Sequence, residues 1–301
     1  MGKSLGKSLG KSLGESVGES MAESMTAAAP LSLSFIGGGN MAGALIAGLA
    51  GRLTAGANIH VVDPNGAQLA RLADSFAVST ATGIDARVAA SDVIVLAVKP
   101  QQMREVAVNL APLLDKRPLL LSIAAGIGSA DLSRWLGGYD AIVRCMPNTP
   151  ALIGQGITGM VATNAVSAPQ REAAERILQA VGQTVWLADE ALIDPVTAVS
   201  GSGPAYVFYF IEAMEQAARE LGLSPEQGKQ LALATFTGAA QLAAQSTDDV
   251  AVLREKVTSK GGTTYAALQS MEQAGVKQAI VEAIKAAAAR GKELGLELGR
   301  D

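Results

Sequence analysis

Cysteine and histidine are almost missing from this chain: Cys145 and His60 each stand alone among 301 residues. A single thiol excludes an intramolecular disulfide, and one imidazole with one thiol cannot complete a zinc site. No metal is therefore expected, and a reducing cytoplasm is the expected compartment. Basic charge is scarce as well. With 24 lysines and arginines against 28 aspartates and glutamates, the chain has no surplus of cations to track a phosphate backbone, which argues against nucleic acid as a partner. Nor does it contain a run of about 18 apolar residues or an apolar N-terminal core segment, so no membrane span and no secretory signal are expected. A small soluble substrate remains.

Apolar residues make up 49% of the chain and charged residues only 17%, which is enough to bury a large core and to exclude disorder for most of it; the length fits two domains. Residues 1–29 are the exception. There "GKSLGKSLGKSLGESVGES" repeats every four residues, Lys3, Lys7 and Lys11 giving way to Glu15, Glu19 and Glu23. A glycine in nearly every repeat works against an isolated helix, so this leader reads as a disordered low-complexity tail. Its Gly-Lys-Ser units are not phosphate loops, because three residues separate the glycines where four are needed.

From residue 31 short apolar runs alternate with helical segments. Strands are expected at 33–37, 58–63, 93–98, 119–124, 141–146, 159–163 and 184–187. Most are apolar at nearly every position, the pattern of strands covered by helices on both faces of a parallel sheet. The expected fold class is α/β: a Rossmann-type doubly wound parallel sheet over residues 30–188, followed by an all-helical domain over 189–301. Four helices are expected there, within 204–222, 224–245, 265–275 and 276–295, two of them opening on a proline in the first turn. Their cores are thin and rich in small residues, so an obligate homodimer is expected, with a larger ring such as a decamer as a further stage of assembly.

"FIGGGNMAGAL" links the first strand to the first helix. Gly37, Gly39 and Ala42 fit the G-x-G-x-x-G/A fingerprint: Gly37 for the tight turn, Gly39 for close approach of a pyrophosphate, Ala42 for helix-on-strand packing, with the helix N-terminus facing the phosphates. Asp63 ends the second strand, where a carboxylate would bind the adenosine ribose and repel a 2'-phosphate, favouring NADH over NADPH; "DPN" is also an ordinary turn sequence. His60 lies inside that strand as a sheet residue. With it placed there and Cys145 in an apolar strand, the histidine acid of a hydroxyacid dehydrogenase is missing. The first interdomain helix has no lysine before Lys229 to replace it. An imine arrives already carrying its proton, so the chain is equipped for a C=N bond.

"FIGGGNMAGAL", "VIVLAVKPQ", "SIAAGI", "RCMPNTP", "VSGSGPAYVF" and "VTSKGGTTYAAL" follow one another in the order found in the pyrroline-5-carboxylate reductases, and from about residue 33 to 295 the chain resembles that family. The resemblance implies NADPH- or NADH-dependent reduction of 1-pyrroline-5-carboxylate to L-proline. It implies that Ile36, Gly37, Gly38, Gly39, Asn40 and Met41 hold the pyrophosphate and that Asp63 and Asn65 lie at the adenosine end. It places Ala97, Val98, Lys99 and Pro100, with Ile123, Ala124 and Ala125, along the cofactor cleft, and Asn148 near the nicotinamide. Lys99 reads equally as a surface lysine, and Asn148 as part of a rigid loop between prolines.

The same resemblance puts the substrate carboxylate at 257–264, where Gly261 and Gly262 bend the chain and Ser259, Thr263 and Thr264 add hydroxyl donors. Thr264 reaches the ring nitrogen, and Glu190 falls at an acidic position of the substrate site. Two departures stand out. Lys260 replaces a common proline, and Ile84 replaces an asparagine that contacts adenosine in some relatives. Lys256 aligns with a variable cofactor position and reads more simply as a solvated charge. The rivals are reduction of another cyclic imine and a non-catalytic, dinucleotide-binding redox sensor.

Overall fold

Side chains alternate across a strand, so a strand apolar at every position needs two apolar faces to bury it. The structure, a computed structural model, describes residues 31–300 and supplies those faces. Its eight strands are β1 (Leu33–Ile36), β2 (Ile59–Val62), β3 (Ser79–Ala81), β4 (Val93–Leu96), β5 (Leu119–Ser122), β6 (Ile142–Met146), β7 (Gly156–Ala162) and β8 (Gly182–Trp186). On β4, Val93 and Val95 enter one core cluster while Ile94 and Leu96 enter the other, on the opposite side of the sheet. Leu119 and Leu121 divide from Leu120 in the same way. Each fully buried side chain of this size contributes about 1.5–3 kcal/mol.

The strand order is β3-β2-β1-β4-β5-β6-β7-β8. Six of the pairings are parallel, as expected of a doubly wound sheet, and one, β6 with β7, is antiparallel. The reason is length: residues 147–155 are too few for a crossover helix, which takes about a dozen residues or more. All seven expected strands form. The eighth, β3, was not foreseen, because "STA" is a three-residue, half-exposed edge strand with no apolar run.

The covering helices are α1 (Asn40–Leu49), α2 (Gly66–Phe76), α3 (Ala86–Ala90), α4 (Met103–Leu110), α5 (Ser129–Trp135) and α6 (Ala168–Gln179). His60 is buried in β2, its Nδ1 2.8 Å from Ser79 Oγ and its Nε2 3.3 Å from Asp85; burial lowers its pKa, so it is neutral at pH 7. Cys145 is buried in β6, where desolvation raises the thiol pKa.

Beyond β8 only helices follow. A short turn, Ile193–Val196, runs into a π-helical turn, Thr197–Gly201, and then into α7 (Gly203–Glu220), α8 (Pro225–Gln245), α9 (Val250–Lys256), α10 (Thr263–Gln273) and α11 (Val276–Leu298). Of these α9 was not expected. Ser224 caps α8 in a complete capping box with Gln227, as the serine-proline start suggested. In α7, α9, α10 and α11 no residue is buried, and large apolar side chains stand open, Phe208 at 61% and Tyr209 at 73% exposure. Apolar surface on this scale marks an interface. The far end of α11 rests on the sheet region, where Leu298 lies against Gly126 and Arg134 donates to the Gly299 carbonyl at 2.7 Å. No described helix is long and apolar enough to cross a membrane.

Candidate active site

Three loops leave the C-terminal ends of β1, β4 and β5 and are stitched edge to edge. Gly37 N donates to Val62 O at 2.8 Å, Ala97 N to Ile36 O at 2.8 Å and Ile123 N to Leu96 O at 3.2 Å. The strand order reverses between β1 and β4, and an open α/β sheet binds ligands in the crevice at such a switch point. The structure therefore brings Ile36–Met41, Ala97–Pro100 and Ile123–Ala125 to one edge. Gly37 needs to be glycine: its φ is +101°, and a Cβ there would lie 2.6 Å from the Ala97 carbonyl oxygen. Gly39 is the opposite case, with φ −65° and nothing within 4 Å of its Cβ direction.

That open side lies at the N-terminus of α1, which has neither a side-chain cap nor an acidic residue in its first turn. Its leading N–H groups and the helix dipole are left for an anion. The cradle thus fits the pyrophosphate of a dinucleotide. Asp63 closes its other side, accepting from Gly38 N at 2.7 Å and from Asn65 N at 2.8 Å, while Gln68 donates to the Gly38 carbonyl. Gln68 gave no signal in the sequence beyond its place in the first turn of a helix. Asn65 caps α2 by accepting from Gln68 N. Lys99 and Ala125 are exposed, and Ile84 packs half-buried against the core cluster containing Ile36 and Val62.

The bend at 257–264 has its own uncapped helix start. Gly261 has φ +76°, Gly262 N donates to Ser259 O at 3.0 Å, and Gly262 stands as the N-cap of α10 with no side-chain capping bond. Ser259, Gly261, Thr263 and Thr264 are exposed. The ammonium of Lys256 is ion-paired with Asp248, just ahead of α9.

Glu190 has other partners than the bend. Its carboxylate accepts from Ser129 N at 2.7 Å, from the Ser129 hydroxyl and from Arg144 at 2.9 Å. Burial pushes its pKa up, but these donors outweigh burial and hold it below the ordinary glutamate value. Glu190 thus pairs with Ser129 and Arg144, not with Ser259–Thr264. Arg144 is 8% exposed, and its signal was present in the sequence as one cation inside the apolar run "AIVRCM". Asn148 is also buried, its amide bonded to backbone on two sides.

Comparison with known proteins follows this geometry closely. The pyrroline-5-carboxylate reductase dimerisation family matches residues 190–294, and the F420-dependent NADP oxidoreductase family matches residues 32–126. The chain is 48% identical to a pyrroline-5-carboxylate reductase of Pseudomonas aeruginosa over 268 residues, 89% of this chain and 98% of that one. It is 40% identical to one from Synechocystis, covering 88% and 98%. Among solved structures, the pyrroline-5-carboxylate reductase of Coxiella burnetii aligns with a TM-score of 0.83 at 37% identity, covering 88% of this chain and 98% of that one. The Plasmodium falciparum enzyme, solved with NADP bound, aligns at 0.79 and 31%, with the same coverage.

Proposed function

The chain belongs to the pyrroline-5-carboxylate reductase family, and from that premise we propose how its residues divide the reaction. The reaction is NAD(P)H-dependent reduction of the C=N bond of 1-pyrroline-5-carboxylate, giving L-proline. Of the four described helix starts that follow an uncapped glycine, Ser129 already gives its N–H to Glu190 and Val276 follows closely on the end of α10; the division of labour rests on the other two, Asn40 at the sheet edge and Thr263 in the helical region. Each offers backbone N–H groups to an anion. We assign the first to the pyrophosphate and the second to the substrate carboxylate, with Ser259, Gly261, Gly262 and Thr263 as its donors.

When bound, NAD(P)H supplies the hydride. Ile36–Met41, Asp63 and Asn65 hold its phosphate and adenosine parts, and Ala97–Pro100, Ile123–Ala125 and the Asn148 loop form the wall beside the ring. Thr264 orients the imine nitrogen or relays a proton to it. Holding two rings face to face contributes about 7 kcal/mol or more of the barrier reduction. Glu190 supports the cleft through Ser129 and Arg144; a direct role at the substrate and a cofactor role for Lys256 draw on the family resemblance alone. The exposed bend needs a second wall to become a pocket. Burying the open apolar faces of the helices in a homodimer supplies it, and a larger ring such as a decamer would be read by sedimentation. We place the division between the two domains at residues 188 and 189, and the enzyme in the cytoplasm.

NADH and NADPH absorbance followed side by side with 1-pyrroline-5-carboxylate tests the function and measures how far Asp63 disfavours a 2'-phosphate. Oxidation of one or both is expected; oxidation of neither would favour a redox sensor, and preference for a different cyclic imine would move the substrate. Thr264→Ala is expected to lower kcat on the order of 10- to 100-fold while the NADH Kd stays within about twofold. Unchanged turnover would remove Thr264 from the chemistry.

A further inference from the structure

Asn148 sits between Pro147 and Pro150 at the end of β6, in extended backbone. Its side chain is 9% exposed and committed at both ends: Oδ1 accepts from Ile157 N, at the start of β7, at 3.0 Å, and Nδ2 donates to Ser200 O at 3.2 Å. An N–H can only donate and a carbonyl can only accept, so the partners fix which way the amide faces. Aspartate could not serve the carbonyl, and leucine could serve neither.

Ser200 belongs to the π-helical turn, whose wide ladder shows in the Ser202 N to Thr197 O bond of 2.8 Å. Such turns are costly and are kept where an extra residue re-aims a helix. This one is closely packed against the sheet. A Cβ on Gly159 would come within 2.7 Å of Val196 Cγ1, a stiff β-branched side chain, while one on Gly201 would meet only the flexible tip of Met146, Cε at 2.6 Å. The turn is thus packed onto β6 and β7, and the Asn148 amide is a polar link across the junction.

We propose that Asn148 is a positioning residue: through its bonds to Ile157 and Ser200 it sets the nucleotide-binding sheet against the start of α7, and so sets the cofactor cleft against the helical region that carries Thr264. It acts on register, without a polar side-chain contact to cofactor or substrate. The proposal rests on the functional reading above, and its test separates the two.

Asn148→Asp keeps the acceptor for Ile157 and loses the donor for Ser200. It is expected to lower kcat on the order of 10- to 100-fold, the effect of a small misplacement between reacting groups, with the NADH Kd by fluorescence titration unchanged within about twofold. Amide hydrogen exchange across residues 197–203 should quicken at the same time. Gly159→Ala presses Val196, at the entry to the same turn, from the β7 side and should reproduce the kcat loss if the aspartate variant does not fold. A parallel rise in Kd would make Asn148 a cofactor ligand, and unchanged kcat with unchanged exchange would give it no role at the junction; either overturns the proposal. Failure of the wild type to reduce the imine would sink the functional reading, while the exchange measurement would still decide whether Asn148 holds the turn.

Discussion

Gly37→Ala is expected to remove NAD(P)H binding at ordinary assay concentrations and to destabilise the fold. The added methyl meets a backbone conformation of φ +101° and the Ala97 carbonyl oxygen at 2.6 Å, and neither obstacle is a flexible side-chain end. Left-handed strain contributes about 1–3 kcal/mol and overpacking a similar amount, so unfolding free energy should fall by about 2–6 kcal/mol. Relief requires moving Ala97, which belongs to a second cofactor loop, so the NADH Kd should weaken on the order of 100-fold or more. Gly39→Ala provides the contrast. At φ −65° with nothing within 4 Å, alanine fits the folded chain, and stability should change by no more than about 0.5 kcal/mol. Its methyl nevertheless occupies the open side of the cradle, so Kd should rise about tenfold or more. Wild-type affinity in Gly39→Ala would take the pyrophosphate away from this loop.

The second large effect lies at Arg144. Its side chain is 9% exposed and Glu190 keeps 32%, so the pair is mostly withdrawn from water. Arg144→Met leaves the carboxylate with only the Ser129 donors, at an expected cost of about 2–4 kcal/mol, toward the low end for a broken buried pair because Glu190 remains partly solvated. Urea unfolding at fixed protein concentration measures it. The double variant Arg144→Met/Glu190→Gln should recover much of the loss, because no uncompensated charge then remains.

The pair also carries a pH signature. The folded-state pKa of Glu190 is depressed, so its contribution is fully present above the unfolded value of about 4.3 and is lost as pH falls through the lower folded value. Glu190→Gln should flatten stability in that acid window and leave the slope above pH 6 unchanged. Identical acid profiles would show that the ion pair is not coupled to folding.

Strands buried on both faces announced themselves, because β1, β2, β4 and β5 are buried at every position and apolar at all but Ser34, His60 and Ser122. The glycine loop was equally readable, since a left-handed turn beside a neighbouring carbonyl admits no other residue at Gly37. β3 was not, because an edge strand three residues long is held by its neighbour and not by its own composition. The antiparallel step from β6 to β7 was not readable either: the expected strands left twelve residues between them where the structure leaves nine, and apolar pattern alone gives no direction.

Local chemistry written along the chain determined most of the elements and where glycine is obligatory, because propensity, strand alternation and capping act within a few residues. Only the folded chain decided which distant polar groups meet. Glu190 bonds residues 61 and 46 positions away, and Asn148 reaches Ser200 across 52. A buried carboxylate or amide must find partners wherever the backbone happens to present them, and no spacing in the sequence encodes that choice.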